Sequence, residues 1–386
     1  MPRADAAQTG AAVPPDQSDM QRSSRDPERM RGALERWLES TIGRGCRAEV
    51  PEIGATTSNG MSSDTILFRA EWTEDGTSRS EALVARVAPD EHDVPVFPSY
   101  DLARQFDVIR LVGELTSVPV PRTWWLESSS APLGSPFFVM ERIHGDVPPD
   151  VMPYTFGDNW LFDASRSDQQ RLQESTVGVL AELHSIDHAE ERFGFLAFDN
   201  AGDTPMRRHA EHTRAWYEFA HEGHRSALIE QGFAWLDDHW PKHEGAPVVS
   251  WGDSRIGNVM YRGFEPVAVL DWEMAGLGPR ELDLAWLVNA HCVFEHLAAG
   301  FELPGMPEFL RLDDVARRYE SLAGYTPRDL EFYMTYAAVE WAIVFLRTGL
   351  RAVHFGERDM PEDIHDLMHH RGLLEQMLAG EYWKSN

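Results

Sequence analysis

Residues 248–286 read VVSWGDSRIGNVMYRGFEPVAVLDWEMAGLGPRELDLAW, and the order of features in that stretch decides the fold. Two β-favouring runs, Val248 to Ser250 and Pro266 to Leu270, each lead into a carboxylate, Asp253 after the first and Asp271 after the second. Asn258 stands five residues beyond Asp253. Phosphoryl transfer asks a protein for positioning and charge neutralisation, and these three side chains are of the types it needs. One carboxylate orients an attacking hydroxyl, while an amide oxygen and a second carboxylate hold Mg2+ against phosphates. The chain carries its own controls. Asp146, Asp158 and Asp203 also follow glycine, but five residues further on they meet Val151, Asp163 and Arg208 instead of an amide. Glu273, two residues past Asp271, reads as an outer acid supporting the ligands, as a ligand itself or as a solvated loop residue. Asp283 in Glu281-Leu282-Asp283 reads as a helix-start acid that satisfies backbone N–H groups.

Working outward, residues 143–386 are mostly helical in pattern. Leu172, Thr176, Val179, Leu180 and Leu183 form one stripe, and Glu281 to Phe294, Asp329 to Arg347 and Glu362 to Leu378 give three more helices. Residues 26–142 mix a small sheet with helices. Asp26-Pro27-Glu28 starts a helix bearing Met30, Leu34, Trp37 and Leu38 and closing at Gly43. Ile66 to Trp72 and Ala82 to Val87 flank a turn containing Asp75-Gly76; Tyr100 to Leu115 is helical, and Thr123 to Leu126 and Phe137 to Arg142 are strands. Residues 1–25 lack an apolar core and read as a disordered tail.

Composition narrows the partners. Asp and Glu number 63 against 35 Lys and Arg, a formal charge of −28, which disfavours nucleic acid or an anionic membrane. The apolar run Tyr336 to Leu346 is interrupted by Glu340 and too short to cross ~30 Å of hydrocarbon. Cys46 and Cys292 form no paired framework, so a reducing, cytoplasmic setting is expected.

A nucleotide's phosphates need a cation, and lysine occurs only at 242 and 384, so that cation must be arginine. Arg86 lies mid-strand in Leu83-Val84-Ala85-Arg86-Val87, and a guanidinium can grip phosphate with two arms. Ahead of the Thr65 strand, residues 54–63 are small and hydroxylated. Backbone at Gly60 and the hydroxyls of Ser62 and Ser63 are the candidates there for wrapping phosphates.

These motifs resemble those of the aminoglycoside phosphotransferase and choline kinase group. Trp251-Gly252-Asp253 through Asn258 matches that family's HGDxxxxN, and Leu270-Asp271-Trp272-Glu273 its LDWE. The likeness extends over roughly residues 45 to 350. It implies an α+β, protein-kinase-like fold of two lobes, the smaller β-rich and the larger mainly helical. It further implies ATP between the lobes, with adenine against the backbone of Met140 to Arg142, Mg2+ on Asn258 and Asp271, and Asp253 facing the hydroxyl of a small-molecule acceptor. Two departures stand out: Trp251 replaces the family's histidine, and Gln105 occupies the place of the helix acid that would pair with Arg86. They leave open a nucleotide-binding protein without turnover. A metal-dependent phosphohydrolase using Asp253, Asp271 and Glu273 is a further alternative.

Overall fold

A computed structural model describes residues 27–43, 46–54, 64–74, 76–89 and 94–385. The expected tail, the cap Asp26, the turn residue Asp75 and the phosphate-loop candidates Gly60, Ser62 and Ser63 all lie outside the described residues.

The first helix, α1 (Pro27–Ile42), turns the expected Met30, Leu34, Trp37 and Leu38 onto a sheet. That sheet comprises β1 (Ala48–Ile53), β2 (Asp64–Glu74), β3 (Thr77–Val87), β4 (Thr123–Glu127) and β5 (Phe137–Glu141), all antiparallel in the order β1-β2-β3-β5-β4; α2 (Leu102–Leu115) runs between β3 and β4 in sequence. Alternation along β3 sorts its side chains by face. Leu83, Ala85 and Val87 join Phe137 and Val139 in the core under α1, whereas Val84 joins Phe138 and Met140 in the core shared with α2. Arg86 has the parity of Val84, so its guanidinium leaves the sheet on the side of the larger lobe.

The remainder is helical apart from two small ribbons. In chain order come α3 (Arg166–Leu183), α4 (Ala189–Arg192), α5 (Pro205–Ala220), α6 (Ala227–Asp238), β6 (Val248–Ser250), β7 (Val259–Arg262), β8 (Glu265–Val269) and β9 (Gly276–Gly278). Then follow α7 (Glu281–Gly300), α8 (Leu312–Ala323), α9 (Leu330–His354), α10 (Arg371–Leu378) and α11 (Tyr382–Ser385). β6 pairs with β9 and β7 with β8. The segment from Glu362 to Leu378 is not the single helix its pattern suggests. A 3-10 turn, Ile364–Leu367, precedes α10, and the break lets buried His370 reach the Ala338 carbonyl through Nε2 at 2.8 Å.

One apolar core runs from α2 and the inner face of the sheet through the helices of the larger lobe. Polar ties fix the lobes further: Arg104 of α2 donates from Nη2 to the carbonyls of Leu196 (2.7 Å) and Ala275 (2.9 Å), and Trp216 of α5 donates to Val96 O at 3.0 Å. Among the described residues no helix is long and apolar enough to cross a membrane. Cys46 and Cys292 are free.

Glu340 on α9 is buried and accepts from Thr213 Oγ1 at 2.9 Å. Burial pushes its carboxyl up from 4.5 to about 8, with the hydrogen bonds to Thr213 and Tyr336 pulling the other way. A raised folded-state pKa means that this group's contribution is fully present below the unfolded value and is lost as pH climbs through the folded one. Glu340→Gln, neutral at every pH, is therefore expected to change stability little near about pH 4 and to raise it by on the order of 5 kcal/mol near about pH 9. Urea melts at the two pH values test this; equal effects at both would refute the buried neutral acid.

Candidate active site

The site is assembled where the two ribbons meet. After β6 the chain turns sharply at Gly252, which has φ +89 and lies so close to the Met274 carbonyl that a Cβ would collide with it. Asp253 follows directly. Its Oδ1 accepts from Trp286 Nε1 at 2.7 Å, its Oδ2 from Asn258 Nδ2 at 2.6 Å, and Arg255 Nε spans both oxygens at 3.0 and 3.2 Å. Asn258 ends the 3-10 turn Ile256–Asn258 and also donates Nδ2 to Asp253 O at 3.0 Å. With its NH2 turned to the carboxylate, the amide oxygen of Asn258 is the end left for another partner.

Asp271 is tied to the same point through the backbone. Leu270 N donates to Asn258 O at 2.9 Å, and Asp271 then adopts a left-handed φ of +57, a conformation that aspartate tolerates better than most residues. Its Oδ1 accepts from Arg86 Nη2 at 2.6 Å, and Arg86 Nη1 holds Thr65 Oγ1 at 3.1 Å. Arg86 is thus bonded to Asp271, whose neighbour Leu270 is tied by its backbone to Asn258, and Asn258 to Asp253. Hard oxygen donors of this kind suit Mg2+, which takes one or two side chains plus phosphate oxygens and water rather than a protein cage.

The expected partner of Arg86 needs revision. Gln105 is buried on α2, but among the described residues the hydrogen bonds of Arg86 go to Thr65 and Asp271. Neither acid near Gln105 substitutes for it. Asp101 caps α2 by accepting from Arg104 N at 2.9 Å, and Asp107 pairs with Arg110 at 3.3 Å. Glu273 is half-buried and sits near Tyr100, whose hydroxyl is raised by burial and then by the charge of Glu273. At the hinge, Met140 is in register with Val84 and Thr123, and the Arg142 N–H is donated to Ala82 O at 3.0 Å. The Arg142 amide is therefore engaged in the sheet. Ile143 has neither backbone group engaged among the described residues.

Three residues support the site in ways the sequence did not show. Asp283, fully buried at the start of α7, does not cap its own helix. Its Oδ1 accepts from Ser250 Oγ (2.8 Å) and Gly252 N (2.9 Å), and its Oδ2 from Trp251 N (2.8 Å) and His184 Nε2 (2.9 Å). His184 Nδ1 meets Tyr319 OH at 2.8 Å. Trp251 braces the loop itself: its buried indole donates to Leu270 O at 2.8 Å and to Asp271 O at 3.2 Å. The loop of Asp253 is thereby bolted to the loop of Asp271. Asp150 is the third, an acid from the segment after β5 whose Oδ2 accepts from Arg255 Nη1.

Comparisons with known proteins bear on the family and the fold. The model of the phosphotransferase enzyme family matches residues 58–312. A protein of Ralstonia eutropha provisionally assigned as an aminoglycoside phosphotransferase superposes with TM-score 0.63 at 21% identity, covering 92% of this chain and 98% of that one. Aminoglycoside phosphotransferase APH(4)-Ia, solved with AMP-PNP and hygromycin B, gives TM-score 0.52 at 15% identity over 90% of this chain and 98% of its own. At such identities the likeness is one of fold: protein-kinase-like, α+β and two-lobed. Among curated proteins, "Probable acyl-CoA dehydrogenase IBR3" of Arabidopsis thaliana is 26% identical over 63% of this chain, and acyl-CoA dehydrogenase family member 11 of Gallus gallus is 26% identical over 71%. The chain spans 30% and 32% of those two relatives, so their named activity belongs to much longer proteins.

Proposed function

Because the chain belongs to the phosphotransferase enzyme family, we propose that it transfers the γ-phosphoryl group of ATP, as its Mg2+ complex, to a hydroxyl of a small molecule. The observation that carries this is the contact chain from Arg86 through Asp271 and Asn258 to Asp253. Asp253 receives the acceptor hydroxyl and orients its oxygen toward the phosphorus, taking the proton as the bond forms. The pairing of Arg86 with Asp271 keeps both charges compensated without nucleotide; Arg86 would be free to serve the phosphates and Asp271 the ion once both were bound. Mg2+, held by Asn258 and Asp271, would supply charge neutralisation at the phosphates. Adenine would lie along the backbone from Met140 to Ile143, and residues 54–63, with Gly60, Ser62 and Ser63, would cover the phosphates.

Gln105 favours a second reading, nucleotide binding without turnover, because Arg86 has no helix acid to hold it when Asp271 is taken by a metal. A phosphohydrolase is less well supported. Among the described residues no three His, Cys, Asp or Glu side chains converge, so Asp253, Asp271 and Glu273 do not make an acid cluster.

One experiment separates the readings. Mg-ATP at about one hundred times its Kd is expected to stabilise the protein by about 2.7 kcal/mol, and phosphate should then pass to a member of an acceptor panel. That panel should hold aminoglycosides and macrolides, named for the structural neighbours, and hydroxylated acyl thioesters, suggested by the names of the longer relatives. Stabilisation without transfer to any acceptor favours binding alone. Phosphate release from simple esters without nucleotide favours the hydrolase.

A further inference from the structure

We propose that Asp150 and Arg255 work as a latch on the catalytic carboxylate, with Asp150 drawing Arg255 away from Asp253 when an acceptor hydroxyl arrives. This rests on the assignment of Asp253 as the group that receives that hydroxyl.

A carboxylate offers about four sites for hydrogen-bond donors. At Asp253 Trp286 and Asn258 take one each, and Arg255 Nε lies across both oxygens. Counted once on each oxygen, that shared N–H fills the remaining two sites, so an incoming hydroxyl must displace a donor. Trp286 cannot leave cheaply: its ring is buried on α7, 5.7 Å from that of Trp341, and its N–H would be stranded. Asn258 is held twice, by the carboxylate and by the Asp253 carbonyl. Arg255 makes the longest contacts of the three and has somewhere else to go.

That alternative is Asp150. Arg255 Nη1 already reaches Asp150 Oδ2, while Asp150 Oδ1 is buried and has no hydrogen-bond partner among the described residues. A guanidinium fork matches a carboxylate with two parallel N–H groups, so a small rotation of Arg255 satisfies the orphaned oxygen and clears Asp253 together. The chain on both sides of Asp150 is tied down. Asp146 and Tyr261 exchange two backbone hydrogen bonds at 2.8 Å, and Tyr154 N donates to Pro149 O at 2.9 Å. Room for the pair is kept by Gly257, where a Cβ would collide with the Asp150 carboxylate and stand 2.6 Å from Arg255 Nη1. Arg255 is accordingly the moving part, and Asp150 a positioning residue acting through it.

The test combines one structure and one rescue. In a crystal structure of ligand-free Asp150→Asn, Arg255 is expected to lie two-armed on Asp253. With an acceptor in hand, that variant is expected to lose about tenfold or more in kcat, and Asp150→Asn/Arg255→Gln to regain most of the loss. A scaffolding role for Asp150 predicts the reverse, a double variant no better than the single one. Arg255 keeping its present contacts in Asp150→Asn, or the absence of rescue, would overturn the latch. Failure of the wild-type protein to phosphorylate anything overturns the kinase assignment instead, and leaves the position of Arg255 in the variant crystal to decide the latch's geometry.

Discussion

Replacing Asp253 with Ala is expected to lower phosphoryl transfer by about two to four powers of ten while changing Mg-ATP affinity little. The direction follows from where the side chain sits. Asp253 is the one acid at the end of the contact chain remote from Arg86, so its loss removes the acceptor's guide and leaves the phosphate side intact. The substitution also strands the Trp286 indole N–H, a cost of about 1 to 3 kcal/mol that folding must absorb. Asp253→Asn, of the same shape, keeps more of that stability and should still lose most of the turnover. Single-turnover kinetics on both variants, paired with nucleotide titrations, distinguish the two effects; an Ala variant of wild-type turnover would remove Asp253 from the chemistry.

The second large effect is expected at Asp283, which holds the loop of Asp253 from behind. Asp283→Ala deletes the acceptor of Ser250 Oγ, the Trp251 and Gly252 amides and His184 Nε2 together. All of these donors are buried or nearly so, and no water can readily replace the carboxylate at a position of 0% exposure. Breaking a buried polar cluster by removing one partner costs about 3 to 5 kcal/mol. Released from Asp283, the turn at Gly252 no longer presents Asp253, so activity should fall even in molecules that remain folded. Chemical denaturation, with activity measured well below the unfolding midpoint, tests both parts. A change within about 0.5 kcal/mol, typical of surface substitutions, would mean the cluster is not a support.

Much of this site was legible in sequence because its reactive members are close neighbours along the chain. Asp253, Asn258 and Asp271 lie in loops beside two successive ribbons, and Arg86 stood out as a lone cation mid-strand in an apolar run. The supports were illegible for the opposite reason. Asp283 near a helix start has a local explanation, a cap, that satisfies every sequence rule; only tertiary packing brings His184 and the Ser250 turn onto it. Trp251 looked like the loss of a brace, since nothing in its neighbourhood says that an indole N–H can reach the carbonyl of Leu270. Gln105 marked a missing helix acid in sequence, but nothing local could show that Asp271, 185 residues further on, pairs with Arg86 at 2.6 Å. Helical periodicity, likewise, could not show that His370 interrupts the segment from Glu362 to Leu378 to bind a carbonyl of α9.

The most direct measurement is a crystal structure of the wild-type protein with Mg2+ and a non-hydrolysable ATP analogue. The account predicts the ion between Asn258 Oδ1 and Asp271, Arg86 moved from Asp271 to the phosphates, and the γ-phosphate facing Asp253. A nucleotide bound elsewhere, with Arg86 still paired to Asp271 and no ion beside Asn258, would contradict it.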